Sequence, residues 1–315
     1  MDQGIRRTHP LLWFPNGQAE PRKRLWDGLP ITHIAFFLAT LVTTTFYGAL
    51  HHNIDLLQEP WKFYLGFPFS LTLLAILGTH EFGHYCMARH HGVPVTLPYF
   101  IPAPSLIGTF GAFIRIKGSV PNRGALFNIG VAGPLAGFVV ALPAIGLGLA
   151  LSEVKLATEI NGIGLGSSLL FNGLVRLLLG VTPQAYDVVL HPMAFAGWIG
   201  FLVTALNLIP ASQLDGGHIV YALFGRWHRP VTLLCILVLV PMGWYWPGWW
   251  LWAFIIFWFS GPHIAWRQGW RVAFTHPPLL DEMTPLSRRQ KCVAAAALVI
   301  FILTFPPVPF TILFD

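Results

Sequence analysis

Charge is scarce in this chain. Only 10% of its 315 residues are Asp, Glu, Lys or Arg, where soluble domains carry roughly 25%. With 55% hydrophobic residues, the composition excludes an ordinary soluble domain and defines an integral membrane protein. Cysteine is also scarce: Cys86, Cys235 and Cys292 all sit in or beside apolar runs. That excludes a disulfide framework and a CxxC metal site. No basic ribbon interleaved with aromatics accompanies the net charge of +6, so nucleic acid is not an expected partner. Internal repeats are absent. The polar, basic first 30 residues do not read as a cleavable signal, and the first apolar run is long enough to stay as an anchor.

What is abundant is apolar sequence in runs near the ~20 residues a bilayer-spanning helix needs. They fall near 31–50, 66–89, 127–151, 191–210, 231–246, 248–266 and 292–313. The expected fold is all-α and polytopic, with about seven transmembrane helices (six to eight), and 214–224 as a further half-helix. Pro241, Pro247 and the "WYWPGWWLW" stretch mark a tight hairpin with an interfacial belt. Threaded this way, every Lys and Arg except Lys62, Lys155 and Arg176 falls on one side. By the positive-inside rule that side, with the N-terminus, is cytoplasmic. Residues 1–30 are then a cytoplasmic tail and 31–315 a single membrane-embedded domain. In the longest non-cytoplasmic loop, "SSLLFNGLVRLLLG" reads as an interfacial helix.

The segment 98–117, "PYFIPAPSLIGTFGAFIRIK", breaks the helical pattern. Pro98, Pro102 and Pro104 forbid a continuous helix, and "FIRIK" alternates with period two. It predicts a membrane-associated β-hairpin or re-entrant loop, with a surface loop as the plainer alternative. Gly108, Phe110, Gly111 and Phe113 are its candidates for substrate contact.

The second apolar run ends in "HEFGH", where ionisable side chains are costly. His80 and His84 are four residues apart, on one helical face, so their imidazoles can converge on one ion. Glu81 can reach a water there without being a ligand. This is the spacing of a zinc hydrolase, two nitrogen ligands and a general base. A third protein ligand is expected. His90 lies six residues past His84, about 240° round the axis and 9 Å further along, and so out of reach. Among the acids downstream, only Asp215 follows a span at matching depth. It sits in "NLIPASQLDGGH", where Asp215, Gly216 and Gly217 read as a turn before another helix, and where a capping role is the alternative.

HEFGH in a membrane span, "NLIPASQLDGG" and "GVAGPLAGF" (130–138) together resemble the site-2 protease family of intramembrane zinc metalloproteases. The likeness covers roughly residues 66–225, the expected catalytic core. It implies Zn2+ held by His80, His84 and Asp215, with Glu81 activating water. It also implies that Asn207 stabilises the transition state, although Asn207 is equally readable as a hydrogen-bond partner of the turn. His218, three residues past Asp215, reads as a support to the ligands. Many bacterial relatives carry PDZ or CBS domains, and neither fits this chain, so the resemblance is to a compact branch. The implied activity is hydrolysis of a peptide bond within or near a transmembrane segment of a protein substrate, in the lipid bilayer, towards the cytoplasmic side. The alternatives are an ion-coupled transporter using the same His, Glu and Asp cluster, and a di-iron hydroxylase. The latter needs repeated histidine boxes that the chain lacks.

Overall fold

The computed structural model describes residues 30–52, 54–156, 162–181, 186–261, 274 and 279–313. The expected cytoplasmic tail and much of 267–291 lie outside the described residues.

The molecule is mostly helical with small strand pieces. Helix α1 spans Ile31–Leu50, and a 3-10 turn at Pro60–Gly66 leads into α2, Phe67–His90. Strands β1 (Tyr99–Pro102) and β2 (Thr109–Phe113) follow, then α3, Arg123–Ala150. Beyond α3 come β3 (Glu153–Leu156), β4 (Gly162–Leu165), α4 (Leu169–Leu179) and β5 (Tyr186–Val189). Helices α5 (Pro192–Asn207), α6 (Asp215–Phe224), α7 (His228–Met242), α8 (Gly248–Phe259) and α9 (Arg288–Thr304) precede β6, Phe310–Leu313. Side chains cap several starts: Asn122 accepts from the Ala125 N–H of α3, and Ser287 with Gln290 forms a capping box on α9.

Four stretches among the described residues are long and apolar enough to cross a membrane: Ile31–Leu50, Pro60–His90, Arg123–Ala150 and Asp215–Met242. The last contains α6 and α7, so the half-helix near 214–224 continues into its neighbour. Helix α5 has 16 residues, about 24 Å at 1.5 Å per residue, which is short of a ~30 Å hydrocarbon core. It stops at Asn207, three residues before the expected boundary at Pro210.

The core is built where α2, α3 and α5 meet. Phe69, Leu73 and Ile76 of α2 pack on Ala141, Ile145 and Leu149 of α3 and on Trp198, Ile199 and Phe201 of α5. Small residues let these backbones approach closely. A methyl group on Gly148 would lie 2.2 Å from the Ala194 nitrogen, and one on Gly200 2.9 Å from the Ala141 methyl.

The 98–117 segment is a hairpin, with Tyr99 opposite Phe113, Phe100 opposite Ala112 and a bulge before Pro102–Thr109. It stands upright along α1. His33 near the start of α1 contacts the Pro98 carbonyl at 3.1 Å, Thr43 donates to Gly108 O at 2.7 Å, and His51 past the helix end contacts the Leu106 carbonyl at 3.1 Å. His33 to His51 is about 27 Å of helix, so the hairpin traverses most of the depth α1 crosses. The segment is thus a β-hairpin packed along α1. Its turn therefore lies at the opposite end of α1 from residues 94–98, rather than beside them as a surface loop would. The strands β3–β5 and β4–β6 pair antiparallel beyond the C-terminus of α3.

Candidate metal centre

His80, Glu81 and His84 lie in the C-terminal half of α2, with relative exposures of 4%, 7% and 7%. The two imidazoles need room, and α3 supplies it. A methyl group on Gly133 would lie 2.1 Å from His84 Nε2, and one on Gly137 would lie 3.2 Å from His80 Cβ. Gly130, Gly133 and Gly137 share one face by helical spacing. Gly133 and Gly137 of "GVAGPLAGF" thus form the hollow in α3 that holds the two histidines, while Gly130 lies against His218 and the Asp215 backbone. His84 Nδ1 donates to the Ile129 carbonyl at 2.7 Å, which places the hydrogen on Nδ1 and turns the Nε2 lone pair towards the centre.

Asp215 comes from the other half of the core. The expectation of a turn at Asp215, Gly216 and Gly217 is corrected here: all three are helical and form the first turn of α6, with Leu214 as N-cap. The glycines are needed for proximity. A methyl group on Gly216 would lie 2.2 Å from Leu208 O, and one on Gly217 2.3 Å from Ser212 O. Asp215 points at the histidines: its Oδ2 is 3.3 Å from both His80 Nε2 and His84 Nε2. Those two nitrogens are 3.1 Å apart.

The three donors fit a tetrahedral metal. Bonds near 2.0–2.1 Å imply donor–donor edges of about 3.3 Å, close to the triangle observed. Two imidazole nitrogens facing each other at 3.1 Å repel unless a proton or a cation lies between them. His80, His84 and Asp215 form the one metal-binding group of this kind found among the described residues. Glu81 Oε1 is 4.0 Å from His80 Nε2, adjacent to the triangle without belonging to it. Its carboxylate meets the Ile114 backbone N–H, which ties it to the chain just past β2. His90 is exposed at the end of α2.

A cavity of about 250 Å³ brings most of the expected residues together. Asn207, the last residue of α5, lines it with His80, Glu81, His84, Asp215 and His218. Phe113 lines it too, with Ala112, Ile114 and Gln213. The other hairpin candidates do not. Gly108 packs on the Thr43 and Thr44 backbone with φ +77°, Phe110 is 74% exposed, and Gly111 has φ +98° with open space around it. Sequence reasoning passed over Gly133, Ile114 and Gln213. Only Gly133 carried a signal, the three-and-four spacing of glycines opposite an apolar histidine helix.

The fold and this site define a group among apolar helices that could hold a metal, three donor residues with a further carboxylate beside them, the donor set of a hydrolytic zinc site. The profile of peptidase family M50 matches residues 68–239. The chain is 37% identical over 176 residues to the probable zinc metalloprotease EGY2, chloroplastic, of Oryza sativa subsp. indica, covering 55% of this chain and 31% of that protein. It is 31% identical over 254 residues to the probable zinc metalloprotease EGY1, chloroplastic, of Arabidopsis thaliana, covering 76% of this chain and 43% of that one. The matched segments thus span between about a third and under half of these relatives. The chain belongs to peptidase family M50, the site-2 protease family that its motifs resemble. Zinc is the metal this family membership and the donor set call for, and a transporter is not favoured.

Proposed function

We propose that this protein is an intramembrane zinc endopeptidase that hydrolyses a peptide bond within or near a transmembrane segment of a membrane-protein substrate. The carrying observation is the convergence of His80, His84 and Asp215 within 3.3 Å of one another, with Glu81 beside them, inside apolar helices. In this reading α5, α8 and α9 complete a set of about seven spans in one domain, residues 31–315. The N-terminal tail and the active-site side face the cytoplasm.

When bound, zinc supplies Lewis acidity, making water nucleophilic near neutral pH. His84 holds its tautomer through Ile129 and presents Nε2, while Asp215 balances the charge. Glu81 accepts the proton as the water oxygen joins the scissile carbonyl carbon, then delivers it to the leaving amine as the C–N bond breaks. The Asn207 amide donates to the developing oxyanion. His218, a turn beyond Asp215, supports this wall of the site.

Hydrolysis needs an extended peptide, so the substrate helix must unwind locally. The Ile114 N–H faces Glu81, and alternation along the chain turns the Ala112 N–H to the same edge. That edge of the hairpin borders the cavity, and a substrate strand adds to it backbone to backbone, with Phe113 beside it.

The test is zinc content and cleavage of a model transmembrane substrate by purified variants. Glu81→Gln keeps its zinc and loses about 10²–10⁴ in rate. His80→Ala, His84→Ala and Asp215→Ala lose zinc, and His90→Ala keeps both properties. Zinc retained in Asp215→Ala but lost in His90→Ala refutes the ligand assignment.

A further inference from the structure

Asn207 and Asp215 are joined by a seven-residue loop, 208–214, without regular structure between α5 and α6. At its centre Ser212 has φ +53°, a left-handed conformation that a residue with a Cβ rarely adopts. Ser212 is 3% exposed, and its hydroxyl is not among the groups holding it. What holds it is α7. His228 Nε2 donates to the Ser212 carbonyl at 2.9 Å, and the Ser212 N–H donates to Thr232 Oγ1 at 3.0 Å. His228 and Thr232 are four residues apart, on one face of α7, and are 2% and 0% exposed. The Tyr221 ring of α6 meets the His228 ring edge-on at 5.8 Å.

We infer that His228 and Thr232 are positioning residues for the metal centre, clamping Ser212 from both sides so that the loop seats Asp215 against His80 and His84. The transmission is steric. The Ser212 carbonyl that His228 grips lies 2.3 Å from where a Gly217 Cβ would stand, and Ala211 O lies 2.7 Å from it. Leu208 and Ile209 carbonyls press equally closely on Gly216. The first turn of α6, which carries Asp215, thus has no slack against the loop. If the clamp opens, Ser212 leaves its left-handed conformation, the loop carbonyls move, and Asp215 moves with them. Neither clamp residue lines the cavity around the histidines, so both act at a distance.

The inference rests on Asp215 being a ligand, and cobalt-substituted protein separates the two questions. The visible absorption of bound Co2+ reports ligand number and geometry. Asp215→Ala changes that spectrum if the ligand assignment holds. An unchanged spectrum in Asp215→Ala would refute that assignment and the clamp with it. Thr232→Val, which keeps shape but removes the acceptor, and His228→Ala each weaken zinc binding about 10-fold or more and shift the cobalt bands. His228→Gln, which retains a donor, restores much of both. Ser212→Gly, free to adopt positive φ, recovers part of the loss when combined with Thr232→Val. Helix content by circular dichroism stays at the parent value in Thr232→Val. If Thr232→Val keeps the parental zinc affinity and cobalt spectrum while Asp215→Ala alters them, the clamp is overturned and the ligand assignment stands. Should His228→Ala not fold, Thr232→Val decides the matter alone.

Discussion

Replacing Gly133 by alanine adds one methyl group where the histidine must be. The new Cβ would lie 2.1 Å from His84 Nε2 and 2.5 Å from two ring carbons. Carbon and nitrogen settle near 3.5 Å in non-bonded contact, so the imidazole has to retreat by roughly 1.4 Å. Parting the helices instead would give up the close α2–α3 contact, where a Gly83 Cβ would stand 2.6 Å from the Ala132 carbonyl oxygen. Overpacking of this kind costs about 1–3 kcal/mol. The functional cost is larger, since a displacement of about 1 Å at a reacting centre loses on the order of 10²-fold in rate. Gly146→Ala on the same helix is the matched control. Nothing lies within 4 Å of its added methyl, and helix propensity favours alanine by roughly 0.5–1 kcal/mol. Zinc affinity, thermal stability and cleavage of a model transmembrane substrate are measured on both. Gly133→Ala should lose at least about 10-fold in zinc affinity and 10²-fold in rate, while Gly146→Ala keeps both. Parental zinc binding and turnover in Gly133→Ala would mean that α3 does not shape the metal centre.

The hairpin edge is tested at Ala112 rather than Phe113, because in the proposed reading the Ala112 N–H shares the free edge with that of Ile114. Ala112→Pro should cut cleavage severely with zinc content unchanged, and Ala112→Val should be mild; equal activity would leave the edge without a role in substrate binding. Single cysteines in a cysteine-free background should react with an external, impermeant thiol reagent at position 155 and not at 117 or 123, and the reverse pattern overturns the orientation.

The metal-binding half of the site was legible in the sequence because helical periodicity is local. His80 and His84 share a face at a spacing of four wherever the helix lies, and Glu81 follows from adjacency. Apolar runs likewise announce helices, and three prolines with a period-two tail announce a non-helical hairpin. The upright insertion of that hairpin along α1 was not legible, because it depends on His33, Thr43 and His51 finding backbone carbonyls 55 to 65 residues away. Nor was the helical start of Asp215, Gly216 and Gly217. Asp-Gly-Gly is a turn by local preference, and only the press of the Leu208 and Ser212 carbonyls shows the glycines to be there for contact. Gly133, His228 and Thr232 act through partners 16 to 49 positions away in the chain. Sequence determined which side chains can carry the chemistry, since that is a matter of residue type and local spacing. The tertiary structure decided which of them meet, since close approach between helices is set by packed volumes that no local pattern records.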